Sequence, residues 1–98
     1  MLETHYRASR FCRVLGNPTA YQVLHMLRKK GQTPTEMSSE IGLSLATVCD
    51  TLRHLRQINV VRYETQDKSK IYFLKDRSLP LVLSTIEKYV KKMRVIRW

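Results

Sequence analysis

The sequence has few acidic residues, glycines, prolines and cysteines, and these shortages exclude several kinds of protein. Only 8 of the 98 residues are Asp or Glu, against 18 Lys or Arg, so the formal net charge is +10. Three glycines and three prolines are too few for a low-complexity chain. Because 43% of the residues are hydrophobic, the chain is not a disordered basic tail either. Its length allows one compact domain with a thin core.

The cysteines and the N-terminus indicate where the protein works. Cys12 and Cys49 are the only two cysteines, and their spacing matches neither a zinc ribbon nor a secreted disulfide framework. No signal peptide or membrane-spanning apolar run is visible, so we expect a cytoplasmic protein without a membrane partner. No glycine-rich phosphate loop and no catalytic constellation is visible. We therefore expect no enzymatic activity and no cofactor.

The excess of positive charge indicates a polyanionic partner. A field of this sign attracts nucleic acid and raises the rate of encounter with it. A homodimer would double the charge and would also enlarge the small core of one chain. Double-stranded DNA and a second copy of the chain are therefore the expected partners.

Two helices are predicted in the first third of the chain. The first covers residues 2–15, with Phe11 on its apolar edge. The second covers residues 18–30, and Asn17 is placed to cap it. Its last turn is basic, which suits the negative end of the helix dipole, and Gly31 is expected to stop it.

Capping residues predict a short third helix and a longer fourth one. Thr33 and Glu36 have the spacing of a capping box, and Gly42 breaks the third helix after about two turns. Ser44 is the cap of the fourth helix, which runs to about residue 58. Asn59 then tolerates the left-handed conformation that often ends a helix.

Beyond Asn59 the period of the apolar residues changes from helical to alternating, which predicts a hairpin within about residues 60–75. A polar turn at 65–69 separates its strands, and basic residues decorate it. A last helix covers about 79–97, and its apolar residues step by four and three as in a coiled coil. They are Val82, Ile86, Tyr89, Met93 and Ile96. The stripe is wider than one small domain needs, so part of it is expected to meet a second copy.

The order of these elements predicts a mainly α fold with a small β-hairpin, a winged helix-turn-helix with the order α-α-α-α-β-β-α. The helix-turn-helix covers about residues 34–58 of a single domain, 1–98. Val48, Leu52 and Leu55 turn to the core. The opposite face carries short polar side chains, which the major groove of DNA accepts. We therefore expect sequence-specific binding to double-stranded DNA.

Three successive segments resemble the ArsR family of winged-helix repressors. LGNPTAYQVLHML resembles the second helix of that family, TEMSSEIGLSLATVCDTLRHLRQINVV its helix-turn-helix, and VRYETQDKSKIYFL its wing. The match covers roughly residues 10–92. The resemblance implies a homodimer formed by the first and last helices, with Phe11 and the stripe of the last helix in the interface. It further implies a repressor that binds a palindromic operator and blocks a promoter.

The resemblance also assigns the side chains that would meet DNA. Ser44 and Thr47 lie at a helix N-terminus, which suits a phosphate. Leu45 and Ala46 suit thymine methyl groups and Asp50 suits a cytosine amino group, although the family commonly has other residues at these positions. The predicted contacts are Ser44, Leu45, Ala46, Thr47, Cys49, Asp50, Arg53, His54 and Gln57 on the fourth helix, with Arg62, Lys68 and Lys70 on the wing.

The ligands for metal sensing in the ArsR family are missing from this sequence. Met37, Ser38 and Ser39 stand where that family has paired cysteines, and residues 79–98 contain neither His nor Asp. We therefore predict no metal site. Two alternatives to a plain repressor stay open. One is a winged-helix docking module within a larger protein complex. The other is a regulator that responds to oxidation of Cys12 or Cys49, or to a ligand at the dimer interface.

Overall fold

The computed structural model describes residues 2–93, which form five helices and one antiparallel hairpin. The elements are α1 (Glu3–Leu15), α2 (Pro18–Met26), α3 (Pro34–Ile41), α4 (Leu45–Gln57), β1 (Val61–Gln66), β2 (Ser69–Leu74) and α5 (Leu79–Lys92). This order confirms the predicted winged helix-turn-helix. None of the described helices is long and apolar enough to cross a membrane. Ile96, predicted at the dimer interface, lies outside the described residues.

Side-chain caps fix the starts of α2, α3 and α4, as predicted. Asn17 accepts a hydrogen bond from an amide in the first turn of α2. In the capping box of α3, the Thr33 hydroxyl accepts from the Glu36 amide at 3.1 Å, and the Glu36 carboxylate accepts from the Thr33 amide at 2.8 Å. The Ser44 hydroxyl accepts from the Thr47 amide at 3.1 Å. Each of these bonds gives a partner to a backbone amide that has none within its helix. Residues close in the chain therefore determine where the three helices begin.

Left-handed residues end α3 and α4. Gly42 has a φ of 83°, and its amide donates to the carbonyl of Ser38 at 2.9 Å. Asn59 has a φ of 68°, and its amide donates to the carbonyl of Arg56 at 3.0 Å. Glycine has no Cβ to clash in this conformation, and asparagine tolerates it better than most residues. These two positions confirm the predicted ends.

Helix α2 ends at Met26, so the predicted extension to residue 30 is wrong. The backbone of Gln32 forms an antiparallel bridge to Tyr72 of β2, with N–O distances of 3.0 and 2.8 Å. The Gln32 side-chain amide donates to the Met26 carbonyl at 3.1 Å. Gly31 lies against β2, where a Cβ would come within 2.8 Å of the Ile71 side chain. Pairing with a distant strand therefore takes the place of the last helical turn.

The strands of the hairpin are longer than predicted and its turn is shorter. Val61 pairs with Leu74 and Gln66 with Ser69, which leaves a turn of two residues, Asp67 and Lys68. Both have positive φ, 47° and 69°. This conformation matches the right-handed twist of a hairpin.

A single apolar core joins α1–α5 and the hairpin. On α4 it includes Val48, Leu52 and Leu55, none of which has an exposed side chain. Burial of one such side chain contributes about 1.5–3 kcal/mol, so this face holds α4 firmly in place. The buried apolar residues are Leu15, Ala20, Val23, Leu24, Leu27, Met37, Val48, Leu52, Leu55, Val61, Tyr72, Leu74, Leu79 and Leu83.

Candidate nucleic-acid interface

The predicted contacts on α4 share the half of the helix that faces away from the core. Eight of the nine are exposed and Cys49 is half-buried. Leu45 keeps 48% of its surface exposed at the first turn. The structure thus brings together the residues that sequence reasoning placed on this surface. Their individual roles toward DNA stay predictions.

The N-terminus of α4 carries a hydroxyl pair and free backbone amides. The Ser44 hydroxyl donates to the Thr47 hydroxyl at 2.8 Å, while the amide of Thr47 donates back to the Ser44 side chain. The amides of Leu45 and Ala46 lie in the first turn, where a helix offers them no carbonyl partner. Together with the positive end of the helix dipole, they form the kind of site that accepts a phosphate.

Asp50 pairs with Arg53 on the exposed face of α4. The two side chains are 3.3 Å apart, and 70% of the carboxylate side chain and 61% of the guanidinium side chain stay exposed. Exposed pairs at this spacing contribute at most about 1 kcal/mol, so a stronger partner can separate them. In the free protein, the positive charge of Arg53 balances the negative charge of Asp50.

The wing carries its basic residues on different sides. Strand register pairs Arg62 with Phe73 and Lys70 with Thr65. Because side chains alternate along a strand, Arg62 and Lys70 lie on opposite faces of the hairpin. Lys68 lies in the turn at the tip. All three are exposed, but the structure does not gather them into one patch.

A stack of cations on Tyr63 connects α4 to the wing, and sequence reasoning missed it. The ammonium nitrogen of Lys70 lies 4.8 Å from the centre of the Tyr63 ring, and the guanidinium carbon of Arg56 lies 5.5 Å from it. The ring of Tyr72 packs beside it at 5.3 Å. Each cation–π contact contributes about 0.5–1 kcal/mol at an exposed site. The available signal was one tyrosine on each strand, and the register pairs these two, Tyr63 and Tyr72, across the hairpin.

A second exposed surface lies on α1 and α5, and it is apolar. On α5, Val82 is 42% exposed, Tyr89 65% and Met93 39%. Phe11 and Ile86 are half-buried and pack against the core of their own chain. Phe11 and Val82 border a shared cavity of about 170 Å³, so α1 and α5 meet at this surface. Patches of exposed apolar side chains mark interaction sites in soluble proteins.

A polar cluster fastens α5 to α2. The Tyr21 hydroxyl donates to a Glu87 carboxylate oxygen at 2.6 Å, and Nδ1 of His25 lies 3.5 Å from the same oxygen. Burial, together with this bond to the carboxylate, raises the pKa of Tyr21 to about 12. The hydrogen bond from Tyr21 holds the pKa of Glu87 below its usual value. Sequence reasoning missed this cluster because its members lie far apart in the chain.

The structure shows where the other candidate ligands and thiols lie. Within residues 2–93, no three His, Cys, Asp or Glu side chains come together as a metal site would require. Cys12 is exposed and Cys49 is half-buried, and both are free thiols. The alternative of a redox response stays open.

Comparison with known proteins identifies the fold. A helix-turn-helix domain family matches residues 15–64. The structure is similar to HlyU from Vibrio cholerae N16961, with 20% identity, a TM-score of 0.81 and coverage of 91% of this chain and 97% of that chain. It is similar to the transcriptional repressor BigR from Xylella fastidiosa, with 15% identity, a TM-score of 0.77 and coverage of 97% and 94%.

A third similar structure is the homodimeric winged helix-turn-helix DNA-binding domain of a possible ArsR-family transcriptional regulator from Mycobacterium bovis. It is 14% identical, has a TM-score of 0.81 and covers 92% of this chain and 83% of that chain. No curated protein matches the chain. At these identities the comparison confirms the winged-helix fold, and with it the resemblance to the ArsR family at the level of the fold.

Proposed function

The chain belongs to the helix-turn-helix domain family, and we propose that it is a sequence-specific DNA-binding transcriptional regulator. One observation carries the proposal. Opposite the buried Val48, Leu52 and Leu55, α4 presents an open polar face in a protein of net charge +10. A helix that enters the major groove needs a face of this kind, held rigidly from behind.

In the proposed complex, the first half of α4 reads DNA. Ser44 and Thr47 contact a phosphate at the helix N-terminus. Leu45 and Ala46 contact thymine methyl groups. Arg53 has the longest reach on this face and leaves Asp50 to contact a base or a phosphate. Cys49, His54 and Gln57 complete this contact face.

The wing adds contacts that do not depend on sequence. Arg62 and Lys70 extend from opposite faces of the hairpin and Lys68 from its tip, so they contact the backbone or the minor groove. Each phosphate contact by a Lys or Arg releases counterions and makes binding weaker in salt.

We further propose a homodimer in which the apolar surface of α1 and α5 is shared. Exposed Val82, Tyr89 and Met93, with Phe11 and Ile86 beside them, supply the apolar contacts of this interface. A twofold pair presents two copies of α4 to half-sites about one DNA turn apart. The homodimeric relative from Mycobacterium bovis supports this arrangement.

The action that we propose is repression by exclusion of polymerase from a promoter. BigR, which has the same fold, is named a transcriptional repressor. The similar structures from Mycobacterium bovis and Xylella fastidiosa are named as a possible transcriptional regulator and a transcriptional repressor, which supports a function without catalysis.

Selection of bound sequences from a random DNA pool tests the proposal. We expect a palindromic consensus, and we expect the affinity for random duplex to fall steeply as salt rises in a gel shift. Absence of salt-sensitive binding at low salt would instead favour the protein-docking alternative. Binding to all sequences with equal affinity would contradict sequence-specific regulation.

A further inference from the structure

An open groove of about 1010 Å³ lies between α1 and α4. One wall comes from α1, with Arg7, Ala8 and Phe11 among its residues. The other wall comes from α4, with Thr51 and His54, and Ile58 follows that helix. The groove thus has the C-terminal half of the candidate DNA-reading helix as one of its walls.

The groove has an apolar base and a cationic rim. Phe11, Val14 and Ile58 supply apolar surface, and Arg7, Arg10 and Arg13 line the side of α1. The one acidic residue in the lining, Asp50, is paired with an arginine outside the groove. This combination suits a ligand with an apolar body and one negative charge.

Arg7 is the arginine best placed to hold that charge. It lies on the same helical face as Thr4, Phe11 and Val14, which are three, four and seven residues away. No described acidic side chain forms an ion pair with it. Arg10, in contrast, donates to the Tyr6 hydroxyl at 3.1 Å and stacks over that ring.

We propose that this groove binds an amphipathic carboxylate, such as a free fatty acid. Its tail lies on Val14 and Ile58, its carboxylate pairs with Arg7, and Phe11 at the edge stays with the proposed dimer surface. Charge argues against a second copy as the occupant, because another α1 would bring the same arginines to a groove that is already cationic. Two exposed apolar residues, Leu2 just before α1 and Tyr6 within it, lie outside the groove lining and stay available to a second copy.

The site couples ligand to DNA, and this part rests on the proposed function. Asp50 and His54 line the groove and also belong to the predicted DNA contacts. A bound carboxylate adds negative charge beside the surface that meets DNA phosphates, so it lowers the affinity for DNA. By linkage, DNA lowers the affinity for the carboxylate by the same factor.

Binding is measured first on the DNA-free protein, with cis-parinaric acid, a fluorescent fatty acid, as the probe and its methyl ester as the uncharged match. The variant Arg7→Gln removes one of the three arginine charges that line the groove, the one assigned to the carboxylate. Lys29→Gln makes the same change in net charge on an exposed residue beyond the far end of α2 and serves as the control. Ala8→Trp fills the groove from an exposed position without disturbing the core.

We expect the acid to bind the parent chain about tenfold more tightly than the ester, because a charge-assisted hydrogen bond is lost with the ester. Arg7→Gln should abolish this preference while Lys29→Gln keeps it, and Ala8→Trp should weaken both probes. Equal binding of acid and ester, or an acid preference that survives Arg7→Gln, would overturn the proposal. Full binding to a folded Ala8→Trp chain would place the probe elsewhere and overturn it too.

A second measurement titrates the acid and the ester into the protein–DNA complex. Release of DNA by the acid, and not by the ester, supports the coupling. If DNA stays bound at saturating acid, the coupling is overturned. The carboxylate site is then judged only by the binding measured without DNA. A parent chain that binds no DNA before any acid is added contradicts the proposed function and leaves the carboxylate site to be judged on its own.

Discussion

Helices α4 and α5 are 13 and 14 residues long, and both pack one face against the same core, yet their exposed faces differ in chemistry. The exposed face of α4 carries Arg53, His54 and Gln57. The exposed face of α5 carries Val82 and Tyr89. The comparison shows that the buried face fixes where a helix lies, while the free face determines what it can meet. A polar face accepts DNA, whereas an apolar face gains free energy when another apolar surface covers it.

The largest effect is expected when the apolar face of α5 is given a charge. In Val82→Glu, the proposed twofold interface would bury two unpaired carboxylates, each costing about 3–5 kcal/mol. We expect a monomer in analytical ultracentrifugation and a loss of operator affinity of more than about 100-fold. Lys91→Gln changes the net charge equally on the opposite side of the helix and should stay dimeric. A Val82→Glu chain that remains a dimer would contradict this role of α5.

The next effect concerns the polar face of α4. We expect Arg53→Ala to weaken operator binding by about 1–3 kcal/mol and random DNA by less, if the guanidinium reads a base. Arg77→Ala removes an exposed arginine between β2 and α5 and is the control. Arg53 pairs with Asp50 at 3.3 Å, so Arg53→Ala also leaves the carboxylate of Asp50 without its partner. A double-mutant cycle with Asp50→Asn separates this effect from the loss of a base contact. Equal losses on operator and random DNA would exclude base reading.

The two helices also differ in their caps. The Ser44 side chain caps α4, whereas the Ser78 side chain makes no cap bond to α5, and Asp76 accepts from the Ser78 amide at 2.8 Å instead. We expect Ser44→Ala to lower the free energy of unfolding by about 1 kcal/mol and Ser78→Ala by less. Urea denaturation measures both. Equal losses of unfolding free energy in the two variants would mean that the side-chain cap of Ser44 does not stabilise the start of α4.

The polar anchor of α5 gives a pH dependence. The pKa of Tyr21 is raised to about 12 in the folded chain from an ordinary value of 10.0, so the folded state holds this proton more tightly than the unfolded state does. The stability that this bond contributes is therefore complete below pH 10 and is lost as the pH rises towards 12.

Tyr21→Phe tests this dependence. We expect the variant to be less stable by about 1 kcal/mol at neutral pH. The difference from the parent should shrink through the alkaline window in denaturation curves. It should also shrink in acid, as the pH falls through the lowered pKa of Glu87. Tyr89→Phe, at an exposed tyrosine on α5, should show neither change. If the stability difference between the parent chain and Tyr21→Phe were the same at every pH, the hydrogen bond from Tyr21 to Glu87 would not be its source.

The smallest effect is expected at the wing, where contacts are to the backbone. Lys70→Gln should weaken binding to operator and random DNA alike and flatten the slope of log affinity against log salt by about 1. Lys29→Gln, outside the proposed interface, controls for net charge. A change confined to the operator would show that Lys70 reads sequence after all.

Much of the candidate site followed from local rules. The caps at Thr33 and Ser44, the left-handed Gly42 and the buried spacing of α4 each depend on residues within one or two turns. Local rules also predicted α2 to extend to residue 30, which is wrong because Gln32 pairs with Tyr72 of a distant strand. No pattern within one segment signals a contact of that kind.

The sequence by itself determined the order of the elements and the division of α4 into a core face and a polar face, because helical period and capping act over a few residues. Tertiary structure alone decided the features made by distant residues. The bond from Tyr21 to Glu87 spans 66 positions, Arg56 meets Tyr63 across an element boundary, and the groove opens between helices α1 and α4. These depend on how packed elements are oriented, which no local pattern encodes.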